Sequence, residues 1–227
     1  MSEKNAVEVK GWLRDFMISV PEEIYKCGGI KILGRRIKSI VFSTDAAIVR
    51  NTNADAIIAV YPFTPQPVIT QALMTAADVP VFVGVGGGLT QGHRVVNLAL
   101  HAEYQGALGV VVNAPTKNET IEILKETVDI PVIVTVVSKH DDVDKRIECG
   151  ADILNVSAAA KTPGLVAKIR KNHPDIPIIA TGGPTGETIL RTIEAGANAL
   201  TWTPPSNGDI FKDIMQAYRK GESHPEY

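Results

Sequence analysis

Short apolar runs, separated by stretches of mixed polarity, recur along most of the chain. They are IKSIVFST (37–44), DAIIAVY (55–61), PVFVGVG (80–86), LGVVVNA (108–114), PVIVTVVS (131–138), DILNVSA (152–158), PIIATGG (177–183) and NALTWTP (198–204). Most are apolar at consecutive positions rather than alternate ones, the pattern of parallel strands buried on both faces. Amphipathic segments such as NETIEILKETV and GETILRTIEAG lie between them. Eight strands alternating with helices predict an α/β fold, a (β/α)8 TIM barrel, with a doubly wound sheet as the alternative.

The way the runs begin favours the barrel. VPVFVGV, IPVIVTV and IPIIATG open on Pro, which a strand tolerates at its first residue, where no ladder donor is needed. GALGVVV, GADILNV and GANALTW follow Gly-Ala, with NADAIIAV as a degenerate fourth. There the Gly can end the preceding helix at positive φ, and the small Ala lets helix and strand pack closely. The two kinds alternate from the second run to the eighth, and Pro80, Pro131 and Pro177 are 51 and 46 residues apart. A repeat of two βα units suits an eightfold closed barrel. An open sheet would have shorter or more polar edge strands, and the runs show no such gradient.

The first 36 residues precede the repeat, so the expected organisation is a short N-terminal helical extension (1–36) and a barrel domain (37–227). NAVEVKGWLRDFM and PEEIYKCGG read as short helices that plug the barrel floor or form an oligomer contact. The basic run KILGRRIK reads as a solvated face.

Composition changes this picture little. At 44% hydrophobic and 21% charged the chain is ordinary for a soluble globular protein, and a net charge of -2 argues against a nucleic-acid partner. Its two cysteines, Cys27 and Cys149, lack metal or redox spacing and suggest a reducing compartment. No apolar leader or long apolar run is present, so the expectation is a cytoplasmic protein with no membrane partner.

In a barrel the functional face lies at the C-terminal strand ends. Those ends carry Asp45; Tyr61; Gly86, Gly87, Gly88 and then His93; Asn113; Lys139 and His140; Asn155, Ser157 and Lys161; Thr181, Gly182 and Gly183; and Thr201 and Thr203, followed by Ser206, Asn207 and Gly208. Bare backbone at Gly182 and Gly183 lets a charged oxygen approach amide N–H groups. SNGDIFKDIM reads as a helix start whose first N–H groups point outward. Converging from strands seven and eight, the two features predict a phosphate site. Taken singly, they would be a tight turn and an ordinary cap.

The stretch ATGG…AGANALTW resembles the phosphate-binding segment of the phosphate-binding TIM-barrel superfamily. That group includes ribulose-phosphate epimerases, indole-glycerol-phosphate synthase, keto-deoxy-phosphogluconate aldolase, N-acetylmannosamine-6-phosphate epimerase and thiazole synthase. The strand pattern matches from about residue 37 to 220. The resemblance implies a phosphate grip on Gly182, Gly183, Thr201 and Thr203, helped by Ser206, Asn207 and Gly208, and it selects no member family. The Schiff-base lysine of the aldolase branch has Asn155 near its place here, and the metal-binding histidines and carboxylates of the epimerase pattern are missing. No metal is expected.

Asp45 is a candidate general base or a helix N-cap. Lys139 and Lys161 are candidate acids, electrophiles or phosphate partners, although a loop lysine is commonly just solvated. Asp141 and Asp142, in a first helical turn, read as structural. His93 follows GVGGGLTQG, which lacks the dinucleotide fingerprint and reads as a substrate-facing loop or a lid. Asn113 and Asn155 break apolar strands and read as polar contacts to substrate, with Ser157, Gly87 and Tyr61 around them.

Together these residues predict an enzyme on a small phosphorylated metabolite, with a sugar phosphate as the expected class, using isomerase, epimerase or carbon–carbon lyase chemistry without a cofactor. The alternatives are an FMN-binding oxidoreductase and a non-catalytic sensor resembling the glycerol-phosphate-responsive antiterminator barrels. A homo-oligomer is compatible with either.

Overall fold

Before the first barrel strand, the basic run folds back on itself. The computed structural model describes residues 17–225 together with positions 7, 9 and 11. A 3-10 helix spans Glu22–Lys26, and strands β1 (Ile30–Ile32) and β2 (Arg35–Ile37) then form an antiparallel hairpin. Its two-residue turn, Leu33-Gly34, has φ of 45° and 82°, both positive as a tight hairpin with right-handed strand twist requires. The alternation inside the run is the cause: Ile30, Ile32 and Ile37 are buried while Lys31, Arg35 and Arg36 face solvent. Of the two stretches expected to be helical, PEEIYKCGG carries the 3-10 helix, while the basic run read as a solvated face forms the hairpin over 30–37. The stretch NAVEVKGWLRDFM lies almost wholly outside the described residues.

The repeat follows as β3 (Ser39–Phe42), α1 (Ala46–Arg50), β4 (Ala56–Ala59), α2 (Pro67–Ala76), β5 (Val81–Gly86), α3 (His93–Tyr104), β6 (Gly109–Val112), α4 (Asn118–Thr127), β7 (Val132–Val136), α5 (Val143–Glu148), β8 (Ile153–Val156), α6 (Thr162–Asn172), β9 (Ile178–Thr181), α7 (Gly186–Glu194), β10 (Ala199–Trp202) and α8 (Asn207–Lys220). Strands β3 to β10 pair in parallel, and β10 closes on β3. The fold is a (β/α)8 TIM barrel. Among the described residues no helix is long and apolar enough to cross a membrane.

Each strand buries both faces. Ile40, Ile58, Phe82, Val111, Ile133, Ile153 and Ile179 fill the barrel interior together with Ile30, Ile32 and Ile37 of the hairpin, which plugs the floor. The alternate residues, among them Val41, Val83, Val112, Val134 and Leu154, pack outward against Val95, Ile121, Leu124, Val166 and Ile189 of the helices.

The two kinds of strand opening have distinct jobs. Gly106, Gly150 and Gly196 follow α3, α5 and α7 with φ of 92°, 108° and 108°, so each ends its helix in a conformation that L-residues avoid. At three of the four openings the acidic or amide residue after the Ala then pins the preceding strand, whereas Leu108 stands at the fourth. Asp55 Oδ2 accepts from the N–H groups of Lys38 and Ser39, Asp152 Oδ2 from Val132, and Asn198 Oδ1 from Ile178. The prolines lack a donor yet still accept: Pro80, Pro131 and Pro177 take N–H bonds from Ile57, Val110 and Leu154. All these contacts lie at the floor, leaving the mouth to loops.

Candidate functional site

Strand parity decides what faces the mouth. One step above the interior apolar layer, the inward positions are Phe42 on β3, Val60 after β4, Gly84 on β5, Asn113 after β6, Thr135 on β7, Asn155 on β8, Thr181 on β9 and Thr201 on β10. The register aligns Thr135 with Asn155 and Thr181 with Thr201. The β7–β10 side is therefore a strip of neutral polar groups, and the β3–β5 side is apolar. Among these positions none carries a formal charge.

The strip is partly self-satisfied. Asn155 Nδ2 donates to Thr135 Oγ1 at 3.3 Å and Thr181 Oγ1 to Ser157 Oγ at 3.1 Å, whereas Asn155 Oδ1 is buried without a partner. An unmatched buried acceptor costs about 1–3 kcal/mol, so this oxygen is where a ligand donor or a water gains most. Thr135 was absent from the sequence-level candidates. Its signal was there, in a threonine aligned with Asn155 inside an otherwise apolar run.

Gly183, Thr181, Thr201, Thr203 and Pro184 line an open cleft at the ends of β9 and β10, about 490 Å³ in volume. Gly183 has φ 84°, and a Cβ there would stand 2.5 Å from Thr188 Oγ1, so only glycine fits. Its N–H and that of Thr203 have no partner among the described residues. The Gly182 N–H, in contrast, donates to the Thr201 carbonyl at 3.1 Å and closes the strand ladder. Thr201 Oγ1 donates to the Ala180 carbonyl.

The helix after β10 is less open than its sequence implies. Pro204 and Pro205 contribute no donors, and Ser206 caps α8 reciprocally with Asp209. The Asp209 carboxylate takes the Ser206 hydroxyl at 2.5 Å and its N–H at 3.3 Å, bonds that hold its pKa below the ordinary carboxylate value. Asn207 and Gly208 border a separate groove along α8 with Phe211 and Lys212, away from the Gly183 cleft. The structure brings Gly183 and Thr203 together and leaves 207–208 apart.

A second cavity, of about 240 Å³, lies across the mouth between the ends of β4, β5 and β6. Tyr61, Gly86, Gly88 and Asn113 line it, as do Phe63, Leu89 and Thr90. The bareness of the glycine loop has an internal cause: a Cβ on Gly87 would stand 2.0 Å from Thr116 Oγ1, and one on Gly86 2.8 Å from Val95 Cγ2. Gly87 is buried against its own chain and His93, the first residue of α3, is exposed on the rim.

The three titratable candidates separate. Asp45 caps α1, accepting from Ala47 and Ile48 N–H groups at 2.8 and 3.3 Å. Lys139 lines a groove of about 120 Å³ between α5 and α6, beside Asp144 and His173, whose side chains pair at 2.6 Å. Lys161 is exposed at the start of α6, on the mouth side. Asp141 accepts from Val137 and Ser138, fixing the β7 loop, and Asp142 caps α5. Among the described residues no group of three or more His, Cys, Asp or Glu side chains is gathered as a metal site.

No protein-family model and no curated protein matches the sequence. Solved structures do match in fold. Phosphonopyruvate hydrolase in complex with oxalate and Mg2+ shares 14% identity, with 85% of this chain and 86% of that chain covered and a TM-score of 0.63. The phosphoenolpyruvate phosphomutase from Streptomyces platensis subsp. rosaceus shares 15%, over 81% and 83%, with a TM-score of 0.61. Dihydrodipicolinate synthase from Aquifex aeolicus shares 17%, over 75% and 66%, with a TM-score of 0.53. At such identities the likeness carries the TIM-barrel fold alone.

Proposed function

We propose that this barrel is an enzyme acting on a small phosphorylated metabolite by isomerase, epimerase or carbon–carbon lyase chemistry. The reading rests above all on Gly183 and Thr203, whose unpaired N–H groups border one cleft at the ends of β9 and β10. Main-chain donors at this place in a barrel suit a phosphate dianion. The fold is shared with enzymes named as phosphomutase, hydrolase and synthase, which makes catalysis the first reading to test. Asn155 and Ser157 would orient the substrate, with Thr201 shaping the cleft wall.

Proton transfer falls to Lys161 in this proposal, because Asp45 is committed to α1 and Lys139 to the α5–α6 groove. A divalent metal does not fit: Mg2+ takes oxygen ligands, with carboxylates prominent, and the inward strand-end positions supply none. The reading needs no cofactor. FMN would have to seat its phosphate on the same amides, and a visible flavin spectrum after reconstitution would favour that alternative.

A second reading, a sensor that binds without turnover, draws support from the uncharged inner mouth. Calorimetric titration across sugar phosphates, followed by product analysis by NMR, separates the two. Lys161→Met should abolish turnover and spare binding if the enzyme reading holds. Binding without product in the parent protein identifies a sensor, and absence of binding by any phosphate ester removes both.

A further inference from the structure

The 240 Å³ cavity differs in character from the cleft opposite. Some of its polar groups bond one another. Thr90 Oγ1 donates to Thr64 Oγ1 at 3.2 Å, clasping the β4–α2 loop to the β5–α3 loop. Tyr61 Oη accepts the Gln66 N–H at 2.9 Å, and Gln91 Nε2 donates to the Gly87 and Gly88 carbonyls at 3.0 and 2.8 Å. Most of the other side chains that line the space are apolar, Val60, Pro62, Pro65 and, at the lip, Phe63 and Leu89, with Asn113 and the Tyr61 hydroxyl as polar exceptions. Phe63 and Leu89 are 73% and 94% exposed, apolar surface whose burial against an apolar ligand would be favourable.

We infer that the substrate carries an apolar ring or branched alkyl body that enters this cavity, with Phe63 and Leu89 as specificity-determining residues. The inference rests on the phosphate reading of the opposite cleft. Three arguments carry it. A cavity of about 150 Å³ lined by apolar groups holds a benzene-sized ligand, so this one has room for a ring with substituents. The loop-to-loop clasp makes the cavity preformed, which lowers the ordering cost of binding. A polyhydroxylated body would give up water against Val60, Pro62, Pro65, Phe63 and Leu89, side chains that offer it no hydrogen bond, whereas a ring covers them. From β10 to β4 is two strand spacings of about 4.8 Å, so roughly 10 Å of rim separates anion from ring.

The test is calorimetric titration of the parent protein with 4-phenylbutyl phosphate, whose chain is long enough to span roughly 10 Å of rim, and with ribose 5-phosphate and 4-phenylbutanol. The phenylbutyl phosphate should bind about tenfold or more tightly than ribose 5-phosphate. In the Phe63→Ser/Leu89→Ser variant that margin should vanish while ribose 5-phosphate affinity stays unchanged. Equal affinity for phenylbutyl and ribose phosphates overturns the apolar body and leaves the phosphate reading standing. 4-Phenylbutanol binding as tightly as 4-phenylbutyl phosphate keeps the apolar cavity and overturns the phosphate reading. No binding by any probe overturns both. A dimer in sedimentation that the double variant dissociates would assign the exposed lip to a second copy and overturn the inference.

Discussion

Asp45 and Gly183 show how chain position and chemical role part company at single residues. Asp45 stands at a strand end where a base is wanted, yet the nearest unpaired donors are the amides of its own helix, and it serves them. Gly183 keeps its expected place because no other residue fits there. Gly183→Ala should weaken phosphate-ester binding at least tenfold and lower stability by about 1–2 kcal/mol, the cost of left-handed backbone, in paired calorimetry and urea titrations. The thiols make a separate prediction. Burial pushes Cys27 up, and the hydrogen bond to the Glu122 carboxylate pushes Cys149 up. A raised folded-state pKa favours the neutral thiol, so this stabilisation is complete below the ordinary thiol range, about pH 8.5, and is lost as pH rises through the folded values. Thermal melts from neutral pH upward should fall more steeply for the parent than for Cys27→Ala.

Among the elements, the helices and barrel strands were legible because each carries a long apolar signal and a marked start. The β1–β2 hairpin was not. Its strands are three residues each, and three basic side chains mask the period-two burial of Ile30, Ile32 and Ile37. Leu33 is 75% exposed at φ 45°, so Leu33→Asn should stabilise the protein by about 1 kcal/mol, read as a shifted urea midpoint at constant slope. The start of α8 was legible as a cap and illegible as an anion site, since only the folded capping box shows that Asp209 supplies the negative charge already. Asp209→Asn should therefore tighten phosphate-ester binding if the α8 amides contribute, and leave it unchanged if Gly183 and Thr203 act alone. Either outcome is read from the same titration.

At the scale of the molecule, closure of β10 on β3 puts the hairpin at one end of a filled interior and every candidate polar group at the other. Ile32 is 5% exposed in that plug, and Ile32→Ala should cost about 2–5 kcal/mol by chemical denaturation without changing ligand affinity. Closure also divides the mouth into a polar arc over β7–β10 and an apolar one over β3–β5. Neither arc is visible along the chain, because Thr135, Asn155, Thr181 and Thr201 come from four separate runs that only the barrel register sets side by side.

The chain alone determined the order and number of the barrel strands, the helices between them, the alternation of Pro and Gly-Ala openings and the glycine that must follow β9. These are local properties, set by which side chains tolerate burial and which backbones tolerate positive φ. Tertiary structure decided which strand residues point inward, that Gly182 and the α8 cap are already hydrogen-bonded, and that Lys139 lines the groove between α5 and α6. Such outcomes depend on donors and acceptors far apart in sequence. A polar group's partner is settled only when the fold brings the competitors for it within about 3 Å.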